Sequence, residues 1–191
     1  MFHQFTNDQI IIAVAVLVIV AIVVLEHLRR RKAKTAAFRN RFGSEYDRAV
    51  QEHGSSHKAE ANLADRESRV HALKIREIGA TERDRFITEW QTVQSRFLDH
   101  PVAAVTEADE LIARLLEARG YPKDSFDQRA ADVSVTHPRV MEDYRVAHAI
   151  AVRTQGTVAS TEELRTAMIQ YRAIFEELVE AATPQLKKSA A

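Results

Sequence analysis

Two short clusters hold the residue types from which a polar site is built. Gln128-Arg129-Ala130-Ala131-Asp132 sets an Arg and an Asp at i, i+3, a spacing that places both on one helix face. Tyr144-Arg145-Val146-Ala147-His148 follows on a segment whose apolar stripe includes Tyr144 and, at its edge, His148. If the two helices pack, Arg129, Asp132, Tyr144 and His148 form a buried polar network. The expected role is structural, fixing the loop around Val133 to Pro138. The alternative is a pocket for a small anion or ligand, serving a membrane-tethered enzyme or sensor. No nucleophile or base in the sequence attaches to it.

The remaining candidates for chemistry read as structure. His53 and His57 have the i, i+4 spacing that brings two imidazoles to one metal, but Gly54 between them breaks the helix that would carry both. Glu142 and Asp143 flank the apolar stripe of their helix and face water, so with His148 they make no ion site. Phe86, Trp90 and Phe97 recur at helical spacing, which marks a core face rather than an aromatic ligand box. No two of the 5 glycines are close enough for a phosphate-cradling loop. The absence of cysteine excludes a thiolate metal site and a cysteine nucleophile. The expectation is therefore no catalytic residue, no metal and no cofactor, and a protein that is not an enzyme.

The elements that carry these residues are helices. Val105, Ala108, Ile112 and Leu115 form one stripe behind Pro101, and Leu164, Met168, Tyr171, Phe175 and Leu178 form another. Ser160 with Glu163 has capping-box spacing, as does Ser44 with Asp47. Thr81 is read as the cap of the helix bearing Trp90, and Ser55 or Ser56 as the cap of a polar helix from His57. No segment of useful length alternates apolar and polar residues. The fold class is all-α, with a helical stalk over 42–78, a helical bundle over 79–182 and a frayed tail over 183–191. The stalk carries a thin seam of Leu63, Val70 and Leu73 through which two copies could pair.

The N-terminus sets the location. Ile10 to Leu25 is an unbroken apolar run, which anchors a transmembrane helix over 9–28 after a short outer tail of residues 1–8. Met1 to Asp8 carries no Lys or Arg, so the segment lacks the basic start of a cleaved signal peptide. A basic collar over 29–41 follows, made of Arg29, Arg30, Arg31, Lys32, Lys34, Arg39 and Arg41 with no acid among them. By the positive-inside rule the C-terminal domain is cytoplasmic and the N-terminus outside, in a single-pass protein of a bacterial inner membrane. The collar serves as a topology signal and meets the lipid bilayer. The chain has 27 basic and 27 acidic side chains, yet residues 42–191 hold 20 basic against 25 acidic ones. That mildly acidic domain excludes nucleic acid as a partner.

A resemblance follows from several stretches taken together. RFGSEYDRAV after a single anchor, then WQTVQSRFLDHP, EADELIARLLEARGYP, FDQRAADVSVTHP, YRVAHAIA and TEELRTAMIQYRAIFEELV resemble a family of uncharacterised bacterial proteins with one N-terminal membrane anchor. It spans Arg41 to Val179. The resemblance implies a bacterial membrane location and a single domain, and it brings no catalytic residue. The expected function is an interaction or scaffold module.

Overall fold

Every regular element among the described residues is helical, in a computed structural model that describes residues 7–154 and 159–181. The side chains of residues 7–11 and 13 lie outside that description, as do residues 1–6 of the expected outer tail and all of the expected tail 183–191. The chain divides into a first unit up to Arg41 and a second from Phe42 onward.

The first unit is nearly all of α1 (Asn7–Phe42), whose backbone stays helical from the apolar run through the basic collar. Among the described residues no helix is long and apolar enough to cross a membrane. The unbroken apolar stretch with described side chains runs from Val14 to Leu25. At ~1.5 Å per residue it spans about 18 Å, short of a hydrocarbon core of about 30 Å. The N-terminal turn of the expected span falls on side chains outside the description. Arg30 Nε donates to Glu26 across one turn at 3.0 Å, and the Lys34 ammonium lies 5.9 Å from the centre of the Phe38 ring. Arg29, Arg31, Lys32 and Lys34 are exposed. At ~100° per residue they point to all sides of the helix.

The second unit packs α2 (Ser44–His53), α3 (Ser56–Ala72), α4 (Ala80–Arg96), α5 (Pro101–Ala118), α6 (Phe126–Thr136), α7 (Met141–Thr154) and α8 (Thr161–Glu180). Here α5 is the central helix, against α4, α7 and α8, and Ala104, Val105, Ala108, Leu111, Ile112, Leu115 and Leu116 on it are wholly buried. Trp90 of α4 stacks on Phe175 of α8 with ring centres 4.9 Å apart, closing the core over α5. The capping box of Ser160 and Glu163 is made in both directions. Ser55, not Ser56, caps α3. Gly79 and Gly43, not Thr81 and Ser44, stand at the starts of α4 and α2.

Two expectations are corrected. The segment 42–78 is no stalk, because α2 and α3 form a hairpin that packs on α6 and α7. Its seam is consumed inside the unit: Leu63 and Val70 are buried and Leu73 packs against the core, so they offer no surface for pairing of two copies. Phe42, Tyr46, Ala49, Ala59 and Ile78 are buried with them, and so are the charged Glu45, Arg66 and Glu67. Glu45 in the first turn of α2 receives both arms of Arg145 from α7 at 2.9 and 3.1 Å, with Arg66 of α3 at 3.7 Å. Second, Val133 to Thr136 is not a loop but the last turn of α6, and the chain turns only at His137, ahead of a single 3₁₀ turn over Pro138–Val140.

Between α3 and α4 the chain crosses the end of α5 without helix, and the Arg76 N–H donates to the Arg119 carbonyl at 2.9 Å. Gly120 there has a φ of +96°, and a Cβ on it would stand 2.5 Å from the Lys74 carbonyl oxygen. Gly120→Ala is therefore expected to cost about 2–3 kcal/mol in urea unfolding, from backbone strain together with the collision. A loss below about 0.5 kcal/mol would contradict the close approach.

Candidate functional site

The four residues of the expected network come together in part. Arg129 of α6 donates from Nε to the Tyr144 hydroxyl of α7 at 3.3 Å, across the helix pair. Asp132 turns away from Arg129. It is fully buried, and its Oδ1 accepts from Arg69 Nε and Nη2, both at 2.7 Å, and from Gln128 Nε2 at 3.0 Å. The i, i+3 spacing puts Arg129 and Asp132 on adjacent flanks, and packing against α3 takes the Asp inward. Asp132 thus ties α3 to α6 rather than completing a site with Arg129.

His148 belongs to a second group whose centre is Asp109 of α5. One oxygen of Asp109 accepts from the Tyr171 hydroxyl at 2.9 Å and meets His148 Nδ1 at 3.0 Å. The imidazole lies flat on Phe126, with centres 3.5 Å apart and planes 6° from parallel. Phe126 in turn meets Tyr144 edge-on at 5.0 Å. Asp109, Phe126, Arg129, Tyr144, His148 and Tyr171 therefore make one continuous cluster from α5, α6, α7 and α8. Asp109 carries a sequence signal: Val105, Ala108, Asp109 and Ile112 share one helix face, so the carboxylate sits within an apolar stripe.

Electrostatics describe a packed polar core. Burial pushes the Tyr144 hydroxyl up to about 12, against a smaller opposing effect of Arg129. Burial, and then the negative charge of Asp109, drive Tyr171 well above the usual tyrosine range. Both phenols stay protonated and act as donors or acceptors of hydrogen bonds. An imidazole oriented by a carboxylate is the pairing that general-base catalysis uses. Here one ring face is closed by Phe126, and the other hydroxyl on Asp109 is a core tyrosine.

The open space lies beside this cluster. A groove of about 270 Å³ runs along α5 and the chain before α6, lined by Glu110, Ala113, Arg114, Glu117, Pro122, Lys123 and Arg129. Of the four sequence candidates only Arg129 reaches it. A second groove of about 240 Å³ on the other flank of α5 shares Glu110 and Arg114. Arg114 is already engaged by Glu89 at 2.8 Å, and both grooves mix charges of either sign.

Among the described residues no group of three or more His, Asp or Glu side chains is placed to hold a metal ion. His53 ends α2 and His57 lies in the first turn of α3, on either side of the turn at Gly54 and Ser55. Phe86 and Trp90 are buried, and Phe97 packs on the core. Comparison with known proteins gives no match, either to a family model, to a curated protein or to a solved structure.

Proposed function

We propose that this chain is a single-pass membrane protein whose helical domain is an interaction or scaffold module on the cytoplasmic face of a bacterial inner membrane. One observation carries the reading. An unbroken apolar run, Ile10 to Leu25, continues along a single helix into seven basic residues with no acid among them. In lipid that run must satisfy its own backbone hydrogen bonds, which only the helix allows. Gln9 and Leu28 extend it at either end, and Arg29 can reach the headgroups with its alkyl stem in the apolar layer. The collar's cations point to all sides of the helix, an arrangement suited to a ring of anionic headgroups rather than to one bound lipid.

The domain is read as a module for partners because its polar cluster is filled by its own side chains. Tyr144 and Tyr171 are wholly buried, and the nearby groove meets the cluster only at Arg129. Arg129→Ala in the full chain is expected to lower the melting temperature by a few degrees, for a loss of about 1 kcal/mol. Loss of binding to a small anion with stability unchanged would instead favour the tethered sensor. For topology, a reporter that fluoresces only in the cytoplasm, fused after Ala191, is expected to light up. A dark fusion with an active periplasmic reporter overturns the orientation. Crosslinking in intact membranes followed by pull-down is expected to recover a protein partner; recovery of the monomer alone contradicts the scaffold reading.

A further inference from the structure

One buried ionisable group takes no part in the reading above. His137 sits where α6 ends and the chain turns, with 5% of its surface exposed. Its Nδ1 meets Glu177 Oε1 of α8 at 3.0 Å, and its Nε2 is buried with no hydrogen-bond partner. One residue further along α8, the Leu178 carbonyl accepts from the wholly buried Arg119 at 2.5 Å, and the Ala181 carbonyl accepts from the same nitrogen at 3.0 Å. The last turn of α8 is thus held from two sides, by an imidazole and by a guanidinium.

We propose that His137 is a proton-operated latch on the last turn of α8, closed while the ring is neutral and released when it is protonated. The neutral ring donates from Nδ1–H to Glu177 and leaves an unprotonated nitrogen in the apolar interior. A second proton places an N–H with no acceptor in that interior, and a second cation beside Arg119. The charged groups that face the ring are Glu177 from α8 and Arg119 from the end of α5. Glu77 of the chain between α3 and α4 faces Arg119 in turn. Beside the ring in sequence, Thr136 bonds the Tyr121 hydroxyl at 2.6 Å, and Tyr121 feels the charge of Asp132. Among the described residues one half-exposed carboxylate, Glu177, attracts the protonated ring, and burial outweighs it, holding His137 below the ordinary histidine value.

The sign follows from that direction. A base whose folded value is lowered binds fewer protons folded than unfolded, so its contribution is whole above the unfolded value of about 6.5. It is lost as pH falls from there through the folded value. Local opening that exposes the ring follows the same linkage.

The test is amide exchange on the full chain in detergent micelles, corrected for intrinsic rates, between pH 7.5 and 5.5. Protection of the turn from Glu177 to Ala181 is expected to fall about tenfold for each unit by which the ring's value lies below 6.5, while Leu164 to Met168 holds steady. His137→Gln is expected to abolish the step. Glu177→Gln is expected to deepen the loss while its onset stays near 6.5, since the attraction that raises the folded ring's value is gone. Unchanged protection in the natural chain, or the same step in His137→Gln, overturns the latch. Should His137→Gln not fold, a Glu177→Gln loss no deeper than that of the natural chain overturns it equally.

Discussion

Glu45→Ala is expected to lower the unfolding free energy by about 3–5 kcal/mol, because it leaves buried guanidinium groups without their carboxylate. The Glu45 side chain is 1% exposed, and those of Arg145 and Arg66 are 13% and 10% exposed. Burial already lowers the pKa of Arg66, with Glu45 and then Glu52 working against it. The size of the effect comes from uncompensated charge, not from the net worth of the pair. Glu45→Met combined with Arg145→Met and Arg66→Met is therefore expected to recover most of the loss, since apolar groups of similar volume replace the whole cluster. Urea unfolding of the full chain in detergent measures both. A single-variant loss below about 1 kcal/mol would show that water reaches this corner.

Arg119→Ala is expected to cost about 3–4 kcal/mol, from an unfilled volume and from carbonyls left without a donor. The last carbonyls of a helix have no partner inside it, and α8 satisfies two of them with a side chain from the end of α5. The positive charge also meets the negative end of the α8 dipole. Burial lowers the pKa of Arg119, which reflects its complete enclosure. Arg119→Met keeps most of the volume and separates the two causes. It is expected to cost about 1–3 kcal/mol, the part due to the carbonyls alone. Equal losses in the two variants would assign the whole effect to hydrogen bonding and charge rather than to packing.

The elements that could be read from the chain are those whose burial is local and apolar. The α8 seam from Leu164 to Leu178 and the α5 stripe behind Pro101 repeat at helical spacing, and all of their members are buried as expected. The capping box at Ser160 is a pattern of four residues and needs nothing from the rest of the fold. The segment 42–78 reads as a stalk because charged pairs with distant residues help to fasten it to the rest of the fold. Glu45 and Arg145 are 100 residues apart, and Arg69 and Asp132 are 63 apart, so no local period announces them. Taken alone, α3 shows a thin apolar stripe and many charges, which is how a solvated helix also reads.

The site follows the same division. Arg129 and Tyr144 meet because both lie at the contact of α6 with α7, the two helices from which the network was argued. Asp132 and His148 chose partners on helices that the sequence argument did not consider, α3 and α5. Asp109 was visible as a carboxylate inside an apolar stripe. Arg119 lies at i+7 from Ile112 and i+4 from Leu115 on the same buried face, the corresponding signal for the α8 clamp. Charged residues in apolar register are the mark that both share.

The central claim, retention of the chain in a membrane by its N-terminal helix, is tested most directly by alkaline carbonate extraction. Membranes from cells producing the full chain are washed at high pH, which strips peripheral proteins, and pellet and supernatant are blotted. The account predicts that the chain stays in the pellet and leaves it only with detergent. Release of the full chain into the carbonate supernatant would contradict it.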